Sequence, residues 1–237
     1  MTYVSQSVMD RKDITLPSIF RLLLAGPSGC GKSSFLVKLL QNDLRGKWSL
    51  LERLPENIVW VYSEWQPLYS EITTSCQEAD IEINFVKNIF EAESLIHPEN
   101  INWLVVDDAM GDMPIDQETE LLRWFVKRSH HRQTSVVYMQ QNIFAKTPLH
   151  RTISLNCTHF VIFKNPRDKT QIEHLAKQMF PGKGGVSFIR DAYQKATETP
   201  YSYIMLDMMP TTPEELRVRA NLFDRPYGEI DVYIPKK

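Results

Sequence analysis

The eight residues Gly26, Pro27, Ser28, Gly29, Cys30, Gly31, Lys32 and Ser33 constrain this chain more than any other feature of it. They fit the spacing G-x-x-x-x-G-K-[ST] at every fixed position. An apolar run, residues 19–25 (IFRLLLA), comes straight before them and suits a strand buried on both faces. Helical periodicity comes straight after, with Phe35, Leu36, Leu39 and Leu40 on one face. Strand, glycine-rich loop and helix in that order make an anion cradle. Glycine lets the backbone fold closely around a bound group. Successive N–H groups then point inward, and the helix dipole adds positive potential. Lys32 supplies a point charge for β- and γ-phosphates, and the Ser33 hydroxyl is placed to ligate Mg²⁺. The spacing predicts a nucleotide-binding loop from Gly26 to Ser34. The thiol of Cys30 matters less there than its backbone.

Around this loop, short apolar runs alternate with helical stretches, the pattern of an α/β domain with a largely parallel sheet. Further strands are predicted at 57–62, 102–106, 135–139, 159–163 and 201–206, with a weaker one at 83–86. A helix is predicted over 116–128, acidic at its front and basic at its back, in the sense that complements its dipole. Asp168 is placed to cap another, whose apolar face is Ile172, Leu175, Ala176 and Met179. Residues 181–185 break it, and the capping-box spacing of Thr212 and Glu215 predicts a short helix to about 222. The tail beyond should wrap or fray. With 237 residues the chain suits one domain: a core over about 18–209, then a short helix and tail over 210–237.

Composition narrows the class. Hydrophobic residues are 43% and charged residues 24%, enough to fill a core. No apolar run approaches the ~18 residues that span a bilayer, and the polar start lacks a secretory h-region. Cys30, Cys76 and Cys157 are too scattered for a disulfide framework or a zinc cluster. An intracellular setting is expected, without secretion or membrane contact. A net charge of −2 gives no compositional sign of nucleic-acid binding, so any such contact must come from a local patch or an assembly.

Asp107 and Asp108 tip the apolar strand 102–106 (NWLVV). An apolar strand ending in an acid is the Walker B pattern that partners such a loop. Asp107 is expected to hold Mg²⁺ through water, and Asp108 to polarise the attacking water. Two acids there could instead cap the next turn. An added strand between the loop's strand and the acid-tipped strand marks the P-loop ATPases that use a catalytic acid. It sets them apart from kinases and GTPases, and 57–62 reads as that strand. After 135–139 come Gln140, Gln141 and Asn142. A polar residue at that tip can sense the γ-phosphate; Gln141 is preferred to Gln140.

GPSGCGKS, LVVDD and MQQN, in that order, resemble the FtsK/HerA superfamily of P-loop ATPases. More narrowly they are similar to the poxvirus-type genome-packaging ATPases of large DNA viruses, virophages and Maverick/Polinton elements. The segments IVWVYSEWQPLY, KRSHHRQTSVVYMQQNIF, RTISLN and FKNPRDKTQIEHLAKQMFP look like the same branch, and the similarity covers roughly residues 20–222. The resemblance implies a three-layer α/β fold of the RecA/ASCE-like P-loop NTPase kind, with a mostly parallel central sheet flanked by helices. It implies an ATPase using ATP and Mg²⁺ that drives double-stranded DNA into capsids. Its partners would be further copies of itself in a ring of five or six, and capsid or portal proteins. The setting would be the host cytoplasm or nucleus, or the virion. An arginine acting on the neighbouring subunit's γ-phosphate is also implied. Arg132 is the nearest match, with Arg128 competing. Asp108 departs from the pattern, because most such motors carry the longer Glu there.

Other clusters have ordinary readings beside functional ones. Lys127, Arg128, His130, His131 and Arg132 could meet DNA or a neighbour, or complement a helix end. Lys164, Arg167, Lys169 and Lys183 could touch phosphate or simply be solvated. Trp60, Tyr62, Trp65 and Tyr69 could stack on bases or adenine, though core and surface packing is the plainer role. Two other functions stay open. Asp108-Ala109-Met110-Gly111 fits the D-x-x-G of a GTPase-type switch, but no N-K-x-D guanine reader follows. A non-hydrolysing nucleotide-binding scaffold is the other.

Overall fold

In the computed structural model the strands are β1 (Tyr3–Val8), β2 (Arg21–Ala25), β3 (Asn57–Tyr62), β4 (Glu82–Val86), β5 (Asn102–Asp107), β6 (Thr134–Gln140), β7 (His159–Phe163), β8 (Tyr203–Asp207), β9 (Val218–Ala220) and β10 (Ile230–Pro235). The helices are α1 (Lys32–Leu44), α2 (Pro67–Glu78), α3 (Ile89–Leu95), α4 (Ile115–Arg123), α5 (Ser129–His131), α6 (Pro148–Asn156), α7 (Thr170–Met179) and α8 (Gly185–Ala196). The structure describes residues 3–8, 14–44, 49–107, 113–144, 148–167, 170–182, 184–223 and 230–236. Asp108, Lys169 and Lys183, the capping position Asp168 and the D-x-x-G run all lie outside the described residues.

The strands form one ten-stranded sheet in the order β1-β10-β9-β8-β7-β2-β6-β5-β3-β4. From β7 to β4 every pairing is parallel; β8, β9, β10 and β1 extend it antiparallel. The α/β class with a mostly parallel sheet is therefore as expected. One placement is not. The strand between β2 and β5 is β6, whereas 57–62, expected there, is β3 on the far side of β5. Order along the chain does not fix order across a sheet when helical crossovers separate the strands.

The two-residue period of a strand assigns each side chain to one of two layers. In β2, Leu22 and Leu24 face one core; Leu23 and Ala25 face the other. The first core holds Phe35, Leu36, Leu39 and Leu40 of α1 with Tyr69, Ile72 and Cys76 of α2. The second holds residues of α3, α4, α6, α7 and α8, among them Leu121, Ile153, Leu175 and Ile189. Helices thus cover both faces, as a parallel sheet requires. Burial lifts the Cys76 thiol to about 12, so it behaves as a small apolar side chain. Among the described residues no helix is long and apolar enough to cross a membrane.

Helix 116–128 is present in another form: α4 runs into a π-helical turn, Trp124–Arg128, before α5. The C-terminal expectation fails. Residues 214–216 make one 3₁₀ turn, then β9 begins, and 230–235 form β10 rather than a fraying tail. Ile230, Val232 and Ile234 alternate onto the α1-side core while Tyr233 faces the other, a strand signal that the nearby prolines obscured. A buried pair anchors this extension. Arg219 Nη2 donates to Asp207 Oδ2 at 2.7 Å, and its Nη1 donates to the Ile14 carbonyl at 3.0 Å.

Candidate nucleotide cleft

β2, β5 and β6 all end at the same edge of the sheet, because they are parallel. Ligands of open α/β sheets lie at that carboxyl edge. Gly26 N there donates to Gln140 O at 3.1 Å, tying the start of the loop to the end of β6. The loop needs its glycines. A Cβ on Gly26 would sit 2.7 Å from Cys30 Sγ and 2.8 Å from Phe163 Cβ. Gly29 and Gly31 have φ of 74° and 106°, in the left-handed region where a Cβ is costly. α1 begins at Lys32 itself, so the loop closes over a helix N-terminus.

Lys32 is 6% exposed and curls over the loop, with Nζ donating to the carbonyls of Gly26 at 2.9 Å and Pro27 at 3.3 Å. Parity along β5 puts Asp107 on the α1 side with Trp103 and Val105. There its Oδ2 accepts from Ser33 Oγ at 3.0 Å and from the Tyr69 hydroxyl at 2.8 Å. Lys32, Ser33 and Asp107 line one open cleft of about 700 Å³, together with Ser28, Gly29, Gly31, Ser34 and Lys38. Gln66 and Pro67, at the N-terminus of α2, close one side, and Tyr201, Tyr203 and Phe223 line it as well.

The residues fit a hard divalent cation. Mg²⁺ prefers oxygen donors in octahedral array at 2.0–2.1 Å, which puts neighbouring ligand oxygens about 3 Å apart. Ser33 Oγ and Asp107 Oδ2 have that separation.

The structure brings Ser28, Gly29, Gly31, Lys32, Ser33, Ser34 and Asp107 together, and it places Gln140, Gln141, Arg132 and Arg128 elsewhere. Met139 is the last β6 residue on the α1 face, and Ser33 Oγ reaches its Sδ at 3.7 Å. Gln140 consequently points the other way, and its Nε2 donates to Ile143 O at 3.1 Å. Gln141 follows the strand and lines a small gap with Gly26, Gln171 and Tyr193 rather than the main cleft. Arg132 precedes β6 at the opposite edge, and seven strand residues put it about 20 Å from the chain's own loop. Its Nη2 pairs with Glu93 at 3.0 Å; Arg128 pairs with Glu93 and with buried Glu120. His130 in the same run has a lowered pKa, through burial first and then the charges of Arg21 and His131.

Trp60, Tyr62, Trp65 and Tyr69 pack on one another and on Phe85, with ring centroids 5.1–6.1 Å apart. Packing is what they do, and Tyr69 has a role that sequence reading missed. A tyrosine three residues inside a helix carries no local sign that its hydroxyl meets a carboxylate on another strand. Tyr201 was also missed, having been read as the start of a strand.

A model of the poxvirus A32 protein family matches residues 7–182. No curated protein matches the chain. Among solved structures it is similar to the genome packaging NTPase B204 from Sulfolobus turreted icosahedral virus 2 in complex with ATP-gammaS. That pair is 14% identical over 87% of this chain and 98% of the other, with a TM-score of 0.49. It is also similar to the KaiC-like protein PH0186 from Pyrococcus horikoshii OT3, at 12% identity over 91% and 90%, with a TM-score of 0.43.

Proposed function

The chain belongs to the poxvirus A32 protein family, and from that premise we propose that it is an ATP-hydrolysing motor that drives double-stranded DNA into a capsid. The observation that carries this reading is the shared cleft of Lys32, Ser33 and Asp107, in which a loop for phosphate and an oxygen pair for a cation face each other. The genome-packaging-ATPase resemblance of the segments around β3, β6, α6, β7 and α7 supplies the choice of DNA as cargo.

In this reading the loop amides and Lys32 bind the β- and γ-phosphates, turning Nζ away from the Gly26 and Pro27 carbonyls. Ser33 and Asp107 hold Mg²⁺, which neutralises charge on the phosphate oxygens when bound. Tyr69 keeps Asp107 turned towards Ser33. Asp108 acts on the attacking water, and Gln141, which lines a small gap with Gly26, senses the γ-phosphate only by turning out of that gap towards the cleft. Arg132, or Arg128, released from Glu93, reaches the next subunit's nucleotide, so turnover depends on a ring. A sheet with β6 between β2 and β5 favours this reading over a GTPase-type switch.

The test is ATP turnover with and without duplex DNA, with particle size measured alongside. The reading expects slow hydrolysis in the isolated chain, stimulated by duplex DNA together with assembly. Tight nucleotide binding without turnover in an assembled, DNA-bound state would instead mark a scaffold.

A further inference from the structure

We infer that Tyr201 is the platform on which the base of the bound nucleotide stacks, an inference that rests on the nucleotide reading of the cleft. Position in the sheet carries it. The phosphate loop follows β2; Asp107 ends β5, two strands away on one side, and β8 lies two strands away on the other. β8 is antiparallel to β7, with Tyr203 opposite Phe163, so its first residues lie at the carboxyl edge beside the loop. A triphosphate held at Lys32 with its cation at Asp107 therefore directs its ribose and base towards β8.

What waits there is aromatic. Tyr203 is nearly buried at 6% exposure, and Phe35 and Phe223 pack together with centroids 5.3 Å apart. Tyr201 differs from them: it is 74% exposed although it lines the cleft. It also rests against the loop, since a Cβ built on Gly31 would lie 3.8 Å from Tyr201 Cδ1. Its backbone has φ of 63°, a left-handed conformation that tyrosine rarely adopts. Such conformations cluster at ligand sites, where surrounding structure holds them. A ring presented openly beside a phosphate loop can take a purine on its face, and stacking of this kind tolerates different bases.

The test compares two probes on the full chain with Mg²⁺, by calorimetry: ATPγS, and tripolyphosphate, which has no base. Tyr201→Ala should weaken ATPγS roughly 5- to 150-fold, the range given by the loss of one stacked base. Tripolyphosphate binding should stay as in wild type. Tyr201→Trp, which keeps an aromatic face, should bind ATPγS within about threefold of wild type. Equal ATPγS affinity in Tyr201→Ala and wild type overturns the platform and leaves the cleft intact. Equal weakening of both probes also overturns it, since the effect would then lie in the loop. Failure of wild type to bind either probe would instead remove the nucleotide reading beneath it.

Discussion

The hydroxyl of Ser33 donates to the carboxylate of Asp107 across 3.0 Å, although 74 positions separate them in sequence. α1 and β5 meet there, and in the proposed reading the pair would hold the cation. Replacing Asp107 by Asn keeps the shape and removes the charge. Turnover should fall roughly 10²–10³-fold, as when one transition-state contact is lost. A chelator added to wild type should stop turnover reversibly. Both are read in a steady-state phosphate-release assay, and a fully active Asp107→Asn would remove the site.

Tyr69 holds the same oxygen from below, at 2.8 Å, from a fully buried position. Tyr69→Phe deletes one hydrogen bond and leaves the packing with Trp60 and Phe85. Loss of such a supporting contact typically costs 10–100-fold in metal affinity. The Mg²⁺ concentration for half-maximal turnover should therefore rise about tenfold. Metal-free nucleotide binding should not change, which separates positioning from general damage.

Gly26 has no room for a side chain, as its distances to Cys30 and Phe163 require. Gly26→Ala forces the start of the loop outwards. Nucleotide affinity should drop at least tenfold, about 1.4 kcal/mol, while circular dichroism still reports the α/β fold. Unchanged affinity would mean the loop does not grip phosphate in this form.

Much of this was legible in the sequence. The loop declares itself by spacing, because only glycine tolerates its close approaches and positive φ. β2, β5, β6 and β7 were readable as near-continuous apolar runs. β3 was misplaced because sheet neighbours are set by packing, not by chain order. β10 was missed because its partner β1 lies at the other end of the sequence, and β9 because its three residues carry little local signal; pairing made strands of segments that local signals read as helix and tail. Gln140 and Gln141 were ambiguous for a related reason. One residue of register decides which face a side chain meets.

The Asp207–Arg219 pair offers a test of the antiparallel extension that carries Tyr201. Burial alone would raise the Asp207 carboxyl, but the hydrogen bond and charge of His159, then Arg219 and the Met209 amide, bring it down to about 2 from 3.8. The folded value is the lower one. Its contribution, roughly 2 kcal/mol, is therefore complete above about pH 4 and is lost as pH falls towards 2. Arg219→Met removes the ion-pair partner and leaves the buried Asp207 carboxylate only His159 and the Met209 amide, which should cost up to about 3–5 kcal/mol near neutrality. Denaturant titrations at about pH 7 and about pH 3 should find a smaller difference between variant and wild type at the lower value. A gap that widens in acid would contradict the ion-pair account.

The central claim is that one cleft, walled by Lys32 and Asp107, hydrolyses ATP. The most direct measurement is phosphate release by assembled wild type, Lys32→Ala and Asp107→Ala, each with and without duplex DNA. Wild type should turn over and quicken with DNA, while both variants assemble and stay near background in either condition. Turnover by either variant at the wild-type rate would contradict the claim.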